Sequence, residues 1–152
     1  MSTINQVPKK AVLIDARGPR YNAGIASVVL SLALITESVY VIGFQFAVFL
    51  SAVLFGLRRS IYGFIYRNLI QPRLSGPVPS EDQRAPRFAQ LIGALFAFVA
   101  LLGGVIGNSA VFLIATSFAL GAAFLNAAFG FCLGCQFYLL ILRGKARLSA
   151  QN

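Results

Sequence analysis

The sequence predicts an all-α membrane fold: four transmembrane helices arranged as two parallel-repeat hairpins, with an interfacial helix after the second and the fourth span. Three observations predict it. First, the 152 residues are 58% hydrophobic and only 11% charged. Soluble domains carry about 25% charged residues, and a water-exposed domain of this length has too little interior to hide so much apolar surface. Second, the run from Phe88 to Leu142 contains no charged residue. Third, the 13 Lys and Arg flank the apolar runs and, with an even number of spans, all fall on one side, leaving Glu37 on the other.

Residues 1–20 are polar and basic, with Lys9, Lys10, Arg17 and Arg20, and Pro19 is expected to stop a helix from running smoothly through them. Ala11 to Ile14 is too short for a signal-peptide core and no small-x-small cleavage site follows, so the N-terminus reads as uncleaved. From Tyr21 to Leu57 the only charge is Glu37. One span takes about 20 residues. The segment therefore divides into spans at 22–35 and 39–57, turning at Thr36-Glu37-Ser38. The first is short and calls for local thinning of the bilayer.

Arg58-Arg59 closes the second span, and residues 60–70 mix Ile61, Tyr62, Phe64, Ile65 and Tyr66 with Arg67, the composition of an interfacial helix. A cytoplasmic loop, 71–87, carries Pro72, Pro77, Pro79 and Pro86. Gly103-Gly104 and Gly107-Asn108-Ser109 supply the next turn, between spans 88–106 and 110–130. A straight helix from Ala110 to Leu142 would be about 50 Å long against a hydrocarbon core of about 30 Å. A break near Gly130 and Gly134 is therefore expected, with residues 131–142 lying at the interface.

The charge distribution sets orientation. By the positive-inside rule both termini and the central loop are cytoplasmic, which makes this a multi-pass protein of the cytoplasmic membrane whose first partner is the lipid bilayer. The net charge of +9 does not point to nucleic acid, because the basic residues form no stripe with aromatic platforms.

An internal repeat also shows. Arg17-Gly-Pro-Arg20-Tyr21 resembles Arg84-Ala-Pro-Arg87-Phe88, and Phe55-Gly56 resembles Phe129-Gly130. Two parallel hairpin repeats imply a pseudo-twofold axis along the membrane normal. The repeat is expected to set Arg58-Arg59 of one half opposite Cys132–Cys135 of the other.

The absence of histidine excludes a Ser-His-Asp triad, a His-ligated metal and an axial-His haem, and the sequence calls for no cofactor. Chemistry falls to the only two cysteines, Cys132 and Cys135. Inside a continuous helix they would be poorly aimed for a disulfide. With a break at Gly130 they sit on the first turn of a terminal helix, where a thiolate is stabilised and the pair can cycle between dithiol and disulfide or carry a persulfide. Two other readings stand beside this one. Cysteine packs well between membrane helices. A structural zinc would need four ligands, hence a homodimer. At the cytoplasmic rim, where thiols are kept reduced, a standing disulfide is not expected. Arg58 and Arg59, with Arg17, Arg20 and Arg87, form either an anion-attracting mouth near the thiols or simply a face for anionic lipid. The intramembrane polar residues Asn126, Gln90 and Gln45 either bond across helices, Asn126 to one of the glutamines, or line a ligand site.

Four segments, Asp15-Ala-Arg-Gly-Pro-Arg-Tyr-Asn-Ala-Gly24, Gly56-Leu-Arg-Arg-Ser60, Pro86-Arg-Phe-Ala-Gln90 and Phe124-Leu-Asn-Ala-Ala-Phe-Gly-Phe-Cys-Leu-Gly-Cys135, resemble an uncharacterised family of bacterial four-helix membrane proteins, domain of unknown function 4395. The resemblance runs from about Asp15 to Leu142, with the Asn-Ala-Ala-Phe-Gly-Phe-Cys-Leu-Gly-Cys block its most specific part. It implies an integral protein of the bacterial cytoplasmic membrane and assigns no activity. It also implies the company of thioredoxin-like or rhodanese-like cytoplasmic proteins. The expected function is a membrane thiol protein exchanging disulfide or sulfane sulfur with such a partner. The alternatives are a non-enzymatic scaffold or accessory subunit, and a small-anion transporter, for example of thiosulfate.

Overall fold

A computed structural model describes residues 13–76 and 80–151; Lys9, Lys10, Pro77 and Pro79 lie outside the described residues. The described chain is all-helical apart from one short ribbon. In order it forms β1 (Leu13–Asp15), α1 (Arg17–Thr36), α2 (Val39–Phe55), α3 (Ile61–Ile65), β2 (Ser80–Asp82), α4 (Arg84–Val105), α5 (Ser109–Phe129) and α6 (Leu133–Gln151). After α3 the chain continues as a π-helical turn, Tyr66–Ile70, and a 3₁₀ turn, Gln71–Arg73.

Both hairpins begin in the same way. Asp15 Oδ1 accepts the Arg17 backbone N–H at 3.0 Å, and Asp82 Oδ1 accepts that of Arg84 at 3.0 Å. Each carboxylate thus satisfies one of the free N–H groups of a helix start. Pro19 and Pro86 occupy the first turns of α1 and α4. A proline has no N–H to leave unpaired there. Hence α1 starts at Arg17 and not near residue 22, and α4 at Arg84, inside the expected loop 71–87.

The two hairpin starts meet in an antiparallel ribbon with Leu13 opposite Asp82, Ile14 opposite Glu81 and Asp15 opposite Ser80. Ile14 and Glu81 each stand three residues before the arginine that opens a hairpin, so the central pair of the ribbon lies on a local twofold. Two arginines extend the symmetry. Arg20 Nε and Nη2 donate to the carbonyls of Ala127 and Ala128, at 3.0 and 3.2 Å. Arg87 Nε and Nη2 donate to those of Val53 and Leu54, at 2.6 and 3.3 Å. Each hairpin's first helix therefore caps the last carbonyls of the other hairpin's second helix, which would otherwise lack partners. Accordingly α1 packs on α5 and α4 packs on α2, with α4 and α5 also in contact. The repeat is present in three dimensions.

The far ends are built alike too. Ser38 Oγ accepts the Val41 N–H ahead of α2, and Asn108 Oδ1 accepts the Val111 N–H ahead of α5. Gly103 and Gly104 do not make the turn, as the sequence suggested, but lie inside α4. A Cβ on Gly103 would come within 2.8 Å of the Phe112 backbone N, and one on Gly104 within 2.8 Å of Val39. Their role is close approach; the turn itself falls on Ile106 to Asn108.

The interior is made of small residues. Alanines supply more than half of the buried cluster (Ala26, Ala33, Ala94, Ala97, Ala100, Ala115 and Ala119), packed with Leu30, Ile42, Val48 and Phe112. The large apolar side chains point outward: Val28, Leu32, Ile35, Phe44, Leu95, Phe98, Ile114 and Phe118 are exposed. Two helices, α4 and α5, are long and apolar enough to cross a membrane, and α2 is apolar over 17 residues. Residues 60–70 form the short α3 and its π-helical continuation, which lie on α1. The expected interfacial helix 131–142 is α6, which starts at Leu133 and runs on through Gly144 to Gln151, with no proline after Arg143 to end it.

Asp15 also ties α3's extension to the ribbon. The Tyr66 hydroxyl donates to Asp15 Oδ2 at 2.7 Å, and Arg17 pairs with Oδ1 at 3.3 Å. Burial alone would push the Asp15 carboxyl up, but the Arg17 backbone N–H, the Tyr66 hydroxyl and the Arg17 guanidinium together hold it below its ordinary 3.8. Burial and the Asp15 carboxylate push the Tyr66 hydroxyl up to about 12.

Two outcomes are expected. Arg87→Met should lower unfolding free energy in detergent by ~2 kcal/mol, the usual magnitude for charge-assisted hydrogen bonds. Arg20→Met should lower it less, its bonds being solvent-exposed. In pH titrations of stability, the Asp15 contribution is complete above pH 3.8 and is lost as pH falls through the lower folded-state value; the Tyr66 contribution is complete below pH 10 and lost as pH rises to about 12. Asp15→Asn should flatten the acid limb and Tyr66→Phe the alkaline one.

Candidate functional site

The site is assembled at the break between α5 and α6. Gly130, at φ +67°, ends α5 in the left-handed conformation, its N–H bonded to the Asn126 carbonyl at 3.0 Å. Glycine adopts that backbone without the penalty a Cβ imposes. The break expected near Gly130 is therefore found there, whereas Gly134 lies within α6.

Cys132 then stands at the N-cap of α6. Its Sγ accepts the Cys135 N–H at 3.2 Å, and its carbonyl accepts the Gln136 N–H at 3.1 Å. Off the helix at one end and on its first turn at the other, the cysteines reach a Cα–Cα separation of 5.2 Å and are joined as a disulfide. That separation lies in the ordinary disulfide range. The expectation that no standing disulfide would form is corrected by this local geometry. The bond closes the first turn of a 19-residue helix, whose free N–H groups and dipole favour negative charge at that end. Both cysteines are half-buried.

The first half has the same architecture with different chemistry. Ser60 caps α3, its Oγ accepting the Gly63 N–H at 3.1 Å, as Cys132 caps α6. Six residues beyond each cap a tyrosine meets the ring that follows the capping arginine: Tyr66 against Tyr21, centroids 5.5 Å apart, and Tyr138 against Phe88, 5.7 Å apart. The repeat thus matches Ser60-x-x-Gly63, and not Arg58-Arg59, with Cys132-x-x-Cys135. A Cβ on Gly134 would come within 2.5 Å of the Ala89 Cα, so α6 rests directly on α4 near its start.

The remaining expected site residues divide. Cys132, Asn126 and Gln90 line one cleft of about 450 Å³ between α4, α5 and α6, walled largely by phenylalanine and alanine. Asn126 makes no hydrogen bond to either glutamine among the described residues. Gln45 is fully buried elsewhere, where its Oε1 accepts the Tyr62 hydroxyl at 2.8 Å. Of the arginines, Arg20 and Arg87 cap helices and Arg17 pairs with Asp15. Arg58 lines a separate polar cavity of about 260 Å³ with Asp15, Asn22, Tyr66 and Arg67, and Arg59 is exposed. The one whose guanidinium contacts the segment leading into the disulfide is Arg20, near Gly130. Ser60 and Tyr62 were not singled out from the sequence. The signal for Ser60 is the Ser-x-x-Gly spacing just after Gly56, parallel to Cys-x-x-Cys just after Gly130. The described residues hold no cluster of metal-ligating side chains.

Gly134→Val should force α6 away from α4. Reduced Cys132 and Cys135 in that variant should react with a bulky maleimide several-fold faster than in the wild type, read by mass shift.

Comparison with known proteins adds the family and nothing finer. Neither the curated proteins nor the solved structures hold a significant match to the chain. The model of one family covers residues 14–143, the span that holds the ribbon, both hairpins, the disulfide and most of the cleft, and the chain belongs to that family, described as Domain of unknown function (DUF4395).

Proposed function

We propose that this is an integral membrane thiol–disulfide protein of the bacterial cytoplasmic membrane. It exchanges disulfide or sulfane sulfur, through Cys132 and Cys135, with a soluble thioredoxin-like or rhodanese-like partner. The observation that carries the reading is the disulfide itself: a half-exposed Cys-x-x-Cys pair closing the first turn of a long helix. Ser60 shows that the break and the cap serve structure without cysteines, so it is the bond between Cys132 and Cys135 that favours exchange over packing. In the exchange, a partner thiolate attacks one sulfur of the pair. A mixed disulfide forms and the second cysteine leaves as a thiolate, favoured by the helix end. The partner's second thiol then releases the reduced pair and departs as a disulfide.

In this reading α1, α2, α4 and α5 cross the bilayer as two hairpins. Support comes from the length and apolarity of α4 and α5. It comes also from the arrangement of small residues inside and large apolar residues outside, the reverse of what water selects and the usual pattern where lipid is the solvent. The ribbon, the capping arginines and the starts of α3 and α6 gather at one end. Arg58, Arg59 and Arg67 follow the end of α2 there, which supports a cytoplasmic address for the disulfide.

The test is mixed-disulfide trapping in inverted membrane vesicles. A Cys132→Ser variant, incubated with a thioredoxin-like protein that lacks its resolving cysteine and carries its other cysteine as a mixed disulfide with thionitrobenzoate, should displace the thionitrobenzoate thiolate and give a covalent complex through Cys135 that dithiothreitol dissolves. The reduced wild-type pair should label with a membrane-impermeant maleimide in inverted vesicles and not in intact spheroplasts. A pair that neither labels nor forms a complex would sink the proposal.

A further inference from the structure

We propose that the cleft beside the disulfide binds a membrane quinone, which accepts electrons from the Cys132–Cys135 dithiol; the inference rests on the thiol–disulfide reading above.

The cleft is amphipathic along its length. Gln90 lies in the second turn of α4, and Asn126 in the last turn of α5. The start of α4 and the end of α5 share the ribbon end of the bundle, so both amides and Cys132 sit at one end of the cleft. Neither amide makes a side-chain hydrogen bond among the described residues. Towards the middle of the bundle the walls are apolar, with Phe96 and Phe118 stacked at 5.8 Å and Ala119 and Ala122 leaving the space open. The volume of about 450 Å³ is within the range of small-molecule pockets.

An occupant that matches has a flat polar head with hydrogen-bond acceptors, an apolar tail, and chemistry to share with a dithiol. An acyl chain would give neither of these half-buried amides a hydrogen-bond partner and has no chemistry to share with a dithiol. A benzoquinone with an isoprenoid tail meets each requirement: its carbonyls accept from the Gln90 and Asn126 amides, its ring lies beside Cys132, and its tail follows the phenylalanine wall. The reaction balances with these groups alone. Two S–H bonds break and the S–S bond forms, while the quinone takes up two electrons and two protons and becomes the quinol. The dithiol is regenerated by the soluble dithiol partner, which is oxidised to its disulfide. Cys132 faces the cleft, and Cys135 is not among its lining residues, so the pair has one sulfur towards each exchange partner.

The experiment uses the purified full chain in nanodiscs, a soluble dithiol as reductant, and a fully substituted benzoquinone with a single isoprenoid unit, whose ring offers thiols no open position. Quinol formation is followed by absorbance, and mixed-disulfide formation with the soluble partner is measured in parallel. Quinol formation should depend on both cysteines. It should fall at least tenfold in Asn126→Leu, in Gln90→Leu and in Ala122→Phe, which fills the cleft. An azido-quinone should label wild-type peptides of α4, α5 or α6 after illumination, a readout that does not depend on any variant folding. Partner exchange without quinone reduction or labelling overturns this inference and leaves the thiol–disulfide reading standing. Cysteines inert to partner and quinone alike overturn both. Quinol formation unchanged in the cleft variants, with label outside the cleft, overturns the site.

Discussion

The bundle depends on two arginines that cross from one hairpin to the other. The last turn of any helix leaves carbonyls without donors from the helix itself. Here Arg87, at the start of α4, supplies donors to the end of α2, and Arg20, at the start of α1, supplies them to the end of α5. Neither hairpin satisfies its own backbone; each completes the other. The ribbon joins the two starts at the same level, and the Asp15 and Asp82 carboxylates prepare both helix ends for it. One set of contacts thus fixes the pairing of the hairpins, their pseudo-symmetry and the end of the bundle at which the chain departs into α3 and α6.

Symmetry makes the difference between the halves informative. Both second helices end on a glycine of positive φ, and both following helices are capped by a side chain that accepts the N–H three residues on. In the first half the cap is Ser60 and its partner Gly63, and the tyrosines of the turn serve structure: Tyr62 bonds Gln45 and Tyr66 bonds Asp15. In the second half the cap is Cys132 and its partner Cys135, and the neighbouring space is a cleft. The duplicated scaffold places side-chain hydrogen bonds to the bundle in one half and a disulfide beside a cleft in the other. Placing the disulfide on a cap has a mechanical consequence too. Opening the bond leaves the helix intact, because the Gln136 N–H remains bonded to the Cys132 carbonyl and α6 remains seated on Ala89 through Gly134.

The positions of the charges were legible to different depths. Counting Lys and Arg gave an expected side for them, but not what each one touches. Of the five arginines read either as a mouth or as a face for anionic lipid, Arg17, Arg20 and Arg87 have separate partners, since a long guanidinium side chain can reach any of several oxygens and only the folded neighbours choose which. The same holds for the amides. Asn126 was expected to bond Gln45 or Gln90 and bonds neither among the described residues; Gln45 turns to Tyr62, a residue on a helix whose docking could not be read from composition.

By itself the sequence determined the all-helical class, the two hairpins and their repeat, the break at Gly130 and the position of the Cys-x-x-Cys pair beside it. Those features follow from local chemistry: runs of apolar residues, prolines confined to first turns, glycine at a left-handed position, and cysteine being the only nucleophile of its kind present. Only the tertiary structure decided that Pro19 and Pro86 begin helices, that Gly103 and Gly104 serve close packing, that serine 60 and not the arginine pair corresponds to the cysteines, and that the cysteines are bonded. Each of these depends on which backbone lies across from which. That was settled by the reciprocal arginine caps and the ribbon, contacts between residues more than thirty positions apart, whose partners are backbone carbonyls and therefore leave no signature in the residues that supply them.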